Sequence, residues 1–383
     1  MRGVKPAPCA RARAVIATVA LAVFALGSAQ AASAGTVSAW GDNAYGQLGD
    51  GTFVAHVTPQ PVPDLANVID MHGGREHVVA LKADGTVWAW GRNDKGMLGD
   101  GTTTNRNAPV RVSNLSNVVD VTTGHYHSMA LKADGTVWCW GWNSRGQLGD
   151  GTATNRKTPV QVSGLSGVVA IAGAADHSLA LKGDGTVWAW GYNAYGNLGD
   201  GTFTTRLTPV RVHGLTNVVF IAAGRDHSLA VRGDGTVWAW GWNYYGQLGD
   251  GTRTNRNLPV PVSGLSGVTE VAAGANHSVA LKSTGAVRAW GQNSYGQLGD
   301  GTRTRRLTPV AVSGLSGVTS IGTGRLHTLA VKSDGSVWAW GANDYGQLGD
   351  GTRTNRRTPV RVSGLSSGTQ VAGGRDYSVA LIS

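Results

Sequence analysis

The chain has 383 residues, among them 58 glycines and 14 tryptophans, with only 15% charged residues and a formal net charge of +10. Glycine at roughly twice its usual share excludes a long helical protein, and its lack of a three-residue period excludes collagen. The tryptophans, with a 41% hydrophobic share, exclude a disordered chain. What remains is an all-β protein rich in tight turns.

In chain order, residues 1–34 read first, as a cleavable signal peptide. Arg2, Lys5, Arg11 and Arg13 form a basic start, Ala14 to Gly27 is an uncharged, mostly apolar run, and Ala32-Ser33-Ala34 is a small-x-small cleavage site before Gly35. The run is too short to span a bilayer, and no later stretch reaches the length a transmembrane helix needs. A secreted, periplasmic or cell-surface location is therefore expected. Cys9 leaves with this segment, which makes Cys139 the only cysteine of residues 35–383 and rules out a disulfide there. Other copies of its segment carry Ala, so Cys139 reads as a small buried filler.

From residue 35 onward the chain is one unit repeated. The pair Trp-Gly falls at Trp40, Trp90, Trp140, Trp190, Trp240, Trp290 and Trp340, each step 50 residues without insertion or deletion. Within one period, four strands are expected: Val168 to Ala172, His177 to Lys182, Thr186 to Trp190 and Pro209 to Val212. An Asp184-Gly185 hairpin turn, expected as type I′, joins the second and third. Four short antiparallel strands repeated seven times specify a seven-bladed β-propeller over 35–383. The N-terminus starts on a third strand and the C-terminus supplies the two strands that should precede it. One blade is thus expected to be shared by both ends, closing the ring and removing its sheet edges. A closed ring needs no second copy to fold, so a monomer is expected.

The unit runs Ala-Ala-Gly-x-x-His-Ser-x-Ala-Leu, then Asp-Gly-Thr-Val-Trp-Ala-Trp-Gly-x-Asn, then Gly-Gln-Leu-Gly-Asp-Gly-Thr. It resembles the repeat of the regulator of chromosome condensation family over 36–383. That resemblance implies a seven-bladed propeller closed as above. It also brings guanine-nucleotide exchange on a small GTPase, work attributed in the family to a wedge inserted in one blade and a basic tail. No blade here carries an insertion, so exchange is the least expected role. Exported propellers that inhibit β-lactamase are also similar, at a greater distance, and lack the long Gly-Asp-Gly-Thr loops.

Comparing the seven copies separates scaffold from candidate site. His77, His127, His177, His227, His277 and His327 recur with Tyr377 in the seventh place; sheets packed about 10 Å apart are too far for a shared metal, so no metal or cofactor is expected. In Asp176-His177-Ser178 and Asp226-His227-Ser228, consecutive strand residues point to opposite faces and cannot form a hydrolytic relay. The Leu-Gly-Asp-Gly-Thr loops offer one carboxylate each, too few for calcium. Arg106, Arg156, Arg206, Arg256, Arg306 and Arg356 are expected to pair with those loop aspartates.

The variable positions fall in the first-to-second and third-to-fourth connections, which alternation of strand direction puts on one face. Near the axis stand Arg75, Glu76, His125, Tyr126, Asp176, Arg225, Asp226, Asn276, Arg325, Arg375 and Asp376; further out stand Trp142, Tyr192, Trp242 and Tyr244. Arg, Tyr and Trp dominate binding hot spots. Five extra arginines, Arg253, Arg303, Arg305, Arg353 and Arg357, form a basic sector in three adjacent blades. The expected function is an exported, non-enzymatic module that engages a protein partner through this face, with carbohydrate binding as the alternative; no nucleic acid partner is expected.

Overall fold

The computed structural model describes residues 35–383; the expected signal peptide lies outside the described residues. Strands β1 (Thr36–Gly41) and β2 (His56–Pro61) are followed by β3 (Val68–Gly73), β4 (His77–Lys82), β5 (Val87–Gly91) and β6 (Arg106–Arg111). The last four ranges recur at 50-residue steps as β7–β10, β11–β14, β15–β18, β19–β22 and β23–β26, and β27 (Gly368–Gly373) and β28 (Tyr377–Ile382) end the chain. Each group of four is one antiparallel sheet, giving blades 1 to 6 in chain order, and the seventh sheet runs β2-β1-β28-β27. Its β1–β28 register, Thr36 against Ile382 through Gly41 against Tyr377, is the expected ring closure.

Strand character follows position within the blade. The second strand of every blade is buried on both faces, as His177 to Leu181 are, because each sheet is packed between two others. The fourth strand, at the rim, is half exposed and carries a proline in every blade, from Pro59 to Pro359. Proline cannot donate to a further ladder, so it blocks edge-to-edge pairing where the sheet has no neighbour. The fourth strand begins earlier than expected, at Arg206 rather than Pro209, because Arg206 pairs with Gly191 beyond a register irregularity.

The expected type I′ turn is replaced by another. Only the glycine of each Asp-Gly pair has positive φ, +76° at Gly85, and its N–H donates to Lys82 O at 2.9 Å. This is a turn over Ala83 and Asp84 followed by a left-handed glycine, the three-residue hairpin type. Asp84 prefers it because its carboxylate then accepts from both the N–H and the hydroxyl of Thr86, at 2.9 and 2.6 Å.

Polar side chains weld the blades together. Trp140 Nε1 donates 2.7 Å to Met97 O in the loop of the preceding blade, and all seven Trp-Gly tryptophans are fully buried in this manner. Ser128 Oγ also donates to Met97 O, at 2.8 Å. Its single proton is thereby committed, so His77 Nε2, 3.0 Å away, is the donor to it. The same step joins His127 to Ser178, His177 to Ser228, His227 to Ser278, His277 to Thr328 and His327 to Ser378. At the seventh step the acceptor is absent, since Val78 stands where the other blades have Ser or Thr. Tyr377 replaces His there, and its hydroxyl lies on the carbonyls of Gly74 and His77 at 3.1 and 2.5 Å.

Candidate functional site

One face is built by the loops after each first and third strand. They are tied together within each blade: Arg92 N–H donates to Glu76 O at 2.8 Å, Trp142 N–H to Tyr126 O, Tyr192 N–H to Asp176 O, and so on around the ring. The Asp-Gly turns and the Leu-Ser-Gly connections are likewise tied on the opposite face, as Ala83 N–H to Asn67 O. The sorting of variable and invariant loops onto opposite faces is therefore as expected.

The third-to-fourth loop is held from inside. Asn93 Nδ2 donates to Asp100, to Thr102 and to Thr104 O, while Leu98 N–H donates to Asn93 Oδ1. Asp100 Oδ1 accepts from Thr102, and Asp100 Oδ2 accepts two bonds from Arg106 at 3.0 and 2.8 Å. Six blades repeat the Asp–Arg pair, and blade 7 substitutes His56 on Asp50 at 3.0 Å. Both oxygens of the Gly-Asp-Gly-Thr carboxylate are taken up, which gives that segment its loop-fixing role.

The channel along the axis, about 2560 Å³, opens on the variable face through Arg75, His125, Arg225, Arg325 and Arg375. Arg225 is 56% exposed by side chain and the other three arginines about a third. Burial, with Arg75, Arg225 and Arg325 nearby, pushes the His125 pKa down to about 3, so it is a neutral group in a cationic ring.

The second residue of each variable dipeptide departs from expectation. Glu76, Asp226, Asn276 and Asp376 are buried, not presented at the surface, and Tyr126 and Asp176 are half-buried. Successive side chains alternate, so while the first residue lines the mouth, the second turns under the third-to-fourth loop. Glu76 there meets Arg75, Arg92 and Arg375 at 3.3, 2.8 and 3.1 Å. Asp376 meets Arg325 and Arg375 at 3.1 and 3.2 Å. Burial raises Asp226 to about 6, against the pull of Arg225 and with a push from Asp176. Glu76, Asp226 and Asp376 serve as supports of the ring, while Asn276 is bonded within its own blade; Arg75, Arg225, Arg325 and Arg375 are its exposed members.

Sixteen residues on, the loop's first position answers the second dipeptide residue in kind in four of the seven copies. Arg92 faces Glu76, Gln292 accepts from Asn276 Nδ2 at 2.8 Å, and Trp142 meets Tyr126 edge-on at 5.8 Å between ring centres. Leu326 has Ala342 at the matching place. In these four copies the two positions vary together, a signal visible by comparing positions 16 apart, whereas Asp176, Asp226 and Asp376 have Tyr192, Trp242 and Asp42 there.

The aromatics form an arc over blades 2 to 4. Tyr192 packs on Tyr195, Tyr195 on Trp242, and Trp242 against both Tyr244 and Tyr245. Arg145 lies over Tyr192 at 5.2 Å. Trp142, Tyr192 and Trp242 are half-buried, whereas Tyr244 is 52% exposed. Inside the channel the third residue of each first strand also varies: Asp70, Asp120, Ala170, Phe220, Glu270, Ser320 and Gln370. Gln370 Nε2 donates to Asp70 at 2.8 Å, burial and Asp70 raise the Asp120 pKa, and burial raises Glu270 to about 7. These channel residues were not anticipated, although their variation among the copies marks them.

The His–Ser contacts place imidazole and hydroxyl at hydrogen-bond distance, but across blades, not within Asp-His-Ser. Both groups are fully buried, the histidine donates, and burial holds His177 at a pKa of about 3. A serine whose proton goes to a carbonyl and whose histidine is already a donor is not an activated nucleophile. No cluster of three or more metal-ligating side chains occurs among the described residues, and no helix there is long and apolar enough to cross a membrane.

A model of the RCC1-like domain matches residues 117–383, and two models of the regulator of chromosome condensation (RCC1) repeat match 34–81 with 84–131, and 68–96. No curated protein matches the sequence. Among solved structures, human WBSCR16 is 27% identical, with 91% of this chain and 98% of that one covered and a TM-score of 0.83. Prp20p from Saccharomyces cerevisiae, described with its binding properties to Gsp1p and histones, is 24% identical over 91% of each chain, TM-score 0.79. Yeast RCC1 (Prp20) bound to Kap60 gives 24% identity over 94% of this chain and 91% of that one, TM-score 0.84.

Proposed function

Since the chain belongs to the RCC1 repeat family of propellers, we propose that it is an exported, non-enzymatic binding module that takes a protein partner on its variable-loop face. One observation carries this reading. Copies that agree at nearly every structural position differ at the channel mouth and the loop surface above it, where Arg75, Arg225, Arg325, Arg375 and Tyr244 reach solvent. Guanidinium and aromatic groups on a rigid frame are hot-spot chemistry, and the ring of blades provides that rigidity. Yeast Prp20p, of the same fold, is described as binding proteins. The basic and apolar pattern of residues 1–34 supports export.

The carbohydrate reading is the weaker one, because the aromatics pack on each other. Trp242 has Tyr244 stacked on it at 11°, Tyr245 edge-on and Tyr195 tilted against it, which takes Trp242 out as an open platform for a sugar ring. The test is affinity capture by immobilised 35–383 from envelope and secreted extracts of its source, beside a glycan panel. A single saturable protein, weakened about tenfold or more when Arg225→Ala removes a hot-spot side chain, supports the reading. Capture of glycans alone, lost with Tyr244→Ala, refutes it.

A further inference from the structure

The tips of the third-to-fourth loops carry a pattern that neither the blade nor the channel mouth uses. The exposed tip residue is Phe203 in blade 3, Arg253, Arg303 and Arg353 in blades 4, 5 and 6, and Phe53 in blade 7; Thr103 and Ala153 complete the ring. Five consecutive blades thus present three arginines bracketed by two phenylalanines, which are 58% and 56% exposed. The tips stand level, since no copy has an insertion and each loop is pinned to the next blade by the same bond, as Gly251 N–H to Leu307 O and Gly301 N–H to Arg357 O.

The positive charge on this arc is unopposed. Arg256, Arg306 and Arg356 are neutralised by Asp250, Asp300 and Asp350. Arg253, Arg303, Arg305, Arg353 and Arg357, all exposed, enter no ion pair among the described residues, and Asp344 is the one acid of these three loops likewise unpaired there. Arg305 also displaces a scaffold residue: in blades 1, 2, 4 and 6 an asparagine at that place accepts a backbone bond, as Asn105 does from Asn93 N–H at 2.8 Å. Blade 5 forgoes that bond and carries a guanidinium instead. Two of the arginines are held in advance. Arg253 lies 4.5 Å over the Tyr244 ring and donates to Tyr244 O at 2.8 Å, and Arg305 reaches the same oxygen at 3.5 Å.

We propose that this arc, from Phe203 through Arg303 to Phe53, docks an acidic protein surface, with partner carboxylates on the guanidinium groups and partner apolar side chains on the two phenylalanines. The inference deepens the protein-partner reading above and rests on it. The sector contains arginine and no lysine, and arginine's planar fork matches a carboxylate where lysine offers a point charge. The flanking phenylalanines point the same way, since a sulfated or phosphorylated polymer offers them nothing apolar, whereas aromatic and arginine enrichment marks protein interfaces. Held guanidinium groups lose less freedom on binding, which favours one shaped partner over a diffuse polyanion.

The probe is a glutamate-rich random copolymer with tyrosine, compared with polyglutamate, dextran sulfate and phosphatidylglycerol vesicles, binding to 35–383, which contains all seven closed blades. Saturable copolymer binding is expected, weakened about tenfold in the triple variant Arg253→Gln, Arg303→Gln, Arg353→Gln, each lost exposed pair contributing a fraction of that. Phe53→Ala with Phe203→Ala is expected to weaken the copolymer and leave polyglutamate unchanged. Unchanged thermal midpoints verify that these exposed substitutions leave the fold intact. Equal binding by the triple variant overturns the proposal, and so does tighter binding to dextran sulfate or to vesicles than to the copolymer. Arg225 lies outside the arc, so capture insensitive to Arg225→Ala refutes the mouth as partner site without touching this result.

Discussion

Ring closure can be tested at the one place where the inter-blade bond changes chemistry. Tyr377→His alone removes the phenol that lies on Gly74 O and His77 O, and it aims an imidazole N–H at Val78, which cannot accept. A buried donor left without a partner costs about 1–3 kcal/mol; with the lost ring volume, a total near 3 kcal/mol is expected. Val78→Ser alone loses buried apolar surface but gains a hydroxyl that reaches Gln47 O, the acceptor already used by Trp90 Nε1. Its expected cost is about 1 kcal/mol, the transfer loss offset in part by the bond. Together the two substitutions rebuild the His–Ser step of the other six blades, so the double variant should lose about 2 kcal/mol, not the additive 4. The coupling of about 2 kcal/mol falls in the range for residues in direct contact. Urea unfolding followed by tryptophan fluorescence, on all four proteins of the cycle, measures it. Coupling within about 0.5 kcal/mol of zero would refute the argument that Tyr377 compensates for Val78.

Stability should fall steeply on mild acidification. Burial holds His77 at about 4 and His127, His177, His227, His277 and His327 at about 3, against an ordinary 6.5. Between about pH 3 and 6.5 the unfolded chain binds more protons at these six sites, so folding weakens as pH drops. Glu270 at about 7, Asp226 at about 6 and the likewise raised Asp42, Asp120 and Asp176 run the other way, holding protons in the fold at a pH where the unfolded chain is ionised. With His125, also held at about 3, seven histidines outweigh these five carboxyl groups, and a urea midpoint flat from pH 7 to 4 would contradict the assignment. Glu76→Gln leaves Arg75, Arg92 and Arg375 without their shared carboxylate; a loss of about 2 kcal/mol in unfolding free energy is expected, below that of a fully buried pair because the arginines reach solvent. Cys139, buried with its thiol pKa pushed well up, should resist alkylation in the native protein and react only on unfolding, as peptide mapping will show; Cys139→Ala, the residue of all other copies, should cost less than about 1 kcal/mol.

The fold was legible because one unit is written seven times. Trp-Gly at constant spacing gives the number of blades, and the missing first two strands at one end match the two left over at the other. The turn was misread because Asp-Gly favours two hairpin geometries: the type I′ turn expected from the dipeptide, and the one adopted, in which Asp84 gains two bonds from Thr86. The histidines were rightly assigned to the scaffold, yet the reason lies 51 residues away. Each imidazole needs the hydroxyl of the next blade, a relation that only becomes visible when Tyr377 is set beside Val78.

The same lesson governs the candidate site. Variation alone marked Arg75 and Glu76 equally, but variation has two causes at adjacent residues of one loop. Arg75 is replaced by Ala175 although Asp176 keeps an acid at the next position, so the first residue of the dipeptide does not follow its neighbour. Glu76 varies to Tyr126 and Asn276 only together with the residue sixteen places on: Arg92, Trp142 and Gln292 supply an ion pair, an aromatic contact and an amide bond in turn. A buried polar group is satisfied locally, so variation at Glu76 and Asn276 is tied to that neighbour, while Asp226 and Asp376, with Trp242 and Asp42 at that place, are tied to the ring arginines. Positions that vary without a companion, Phe203, Arg303 and Phe53 at the tips, are the ones whose chemistry is free to be set from outside the molecule.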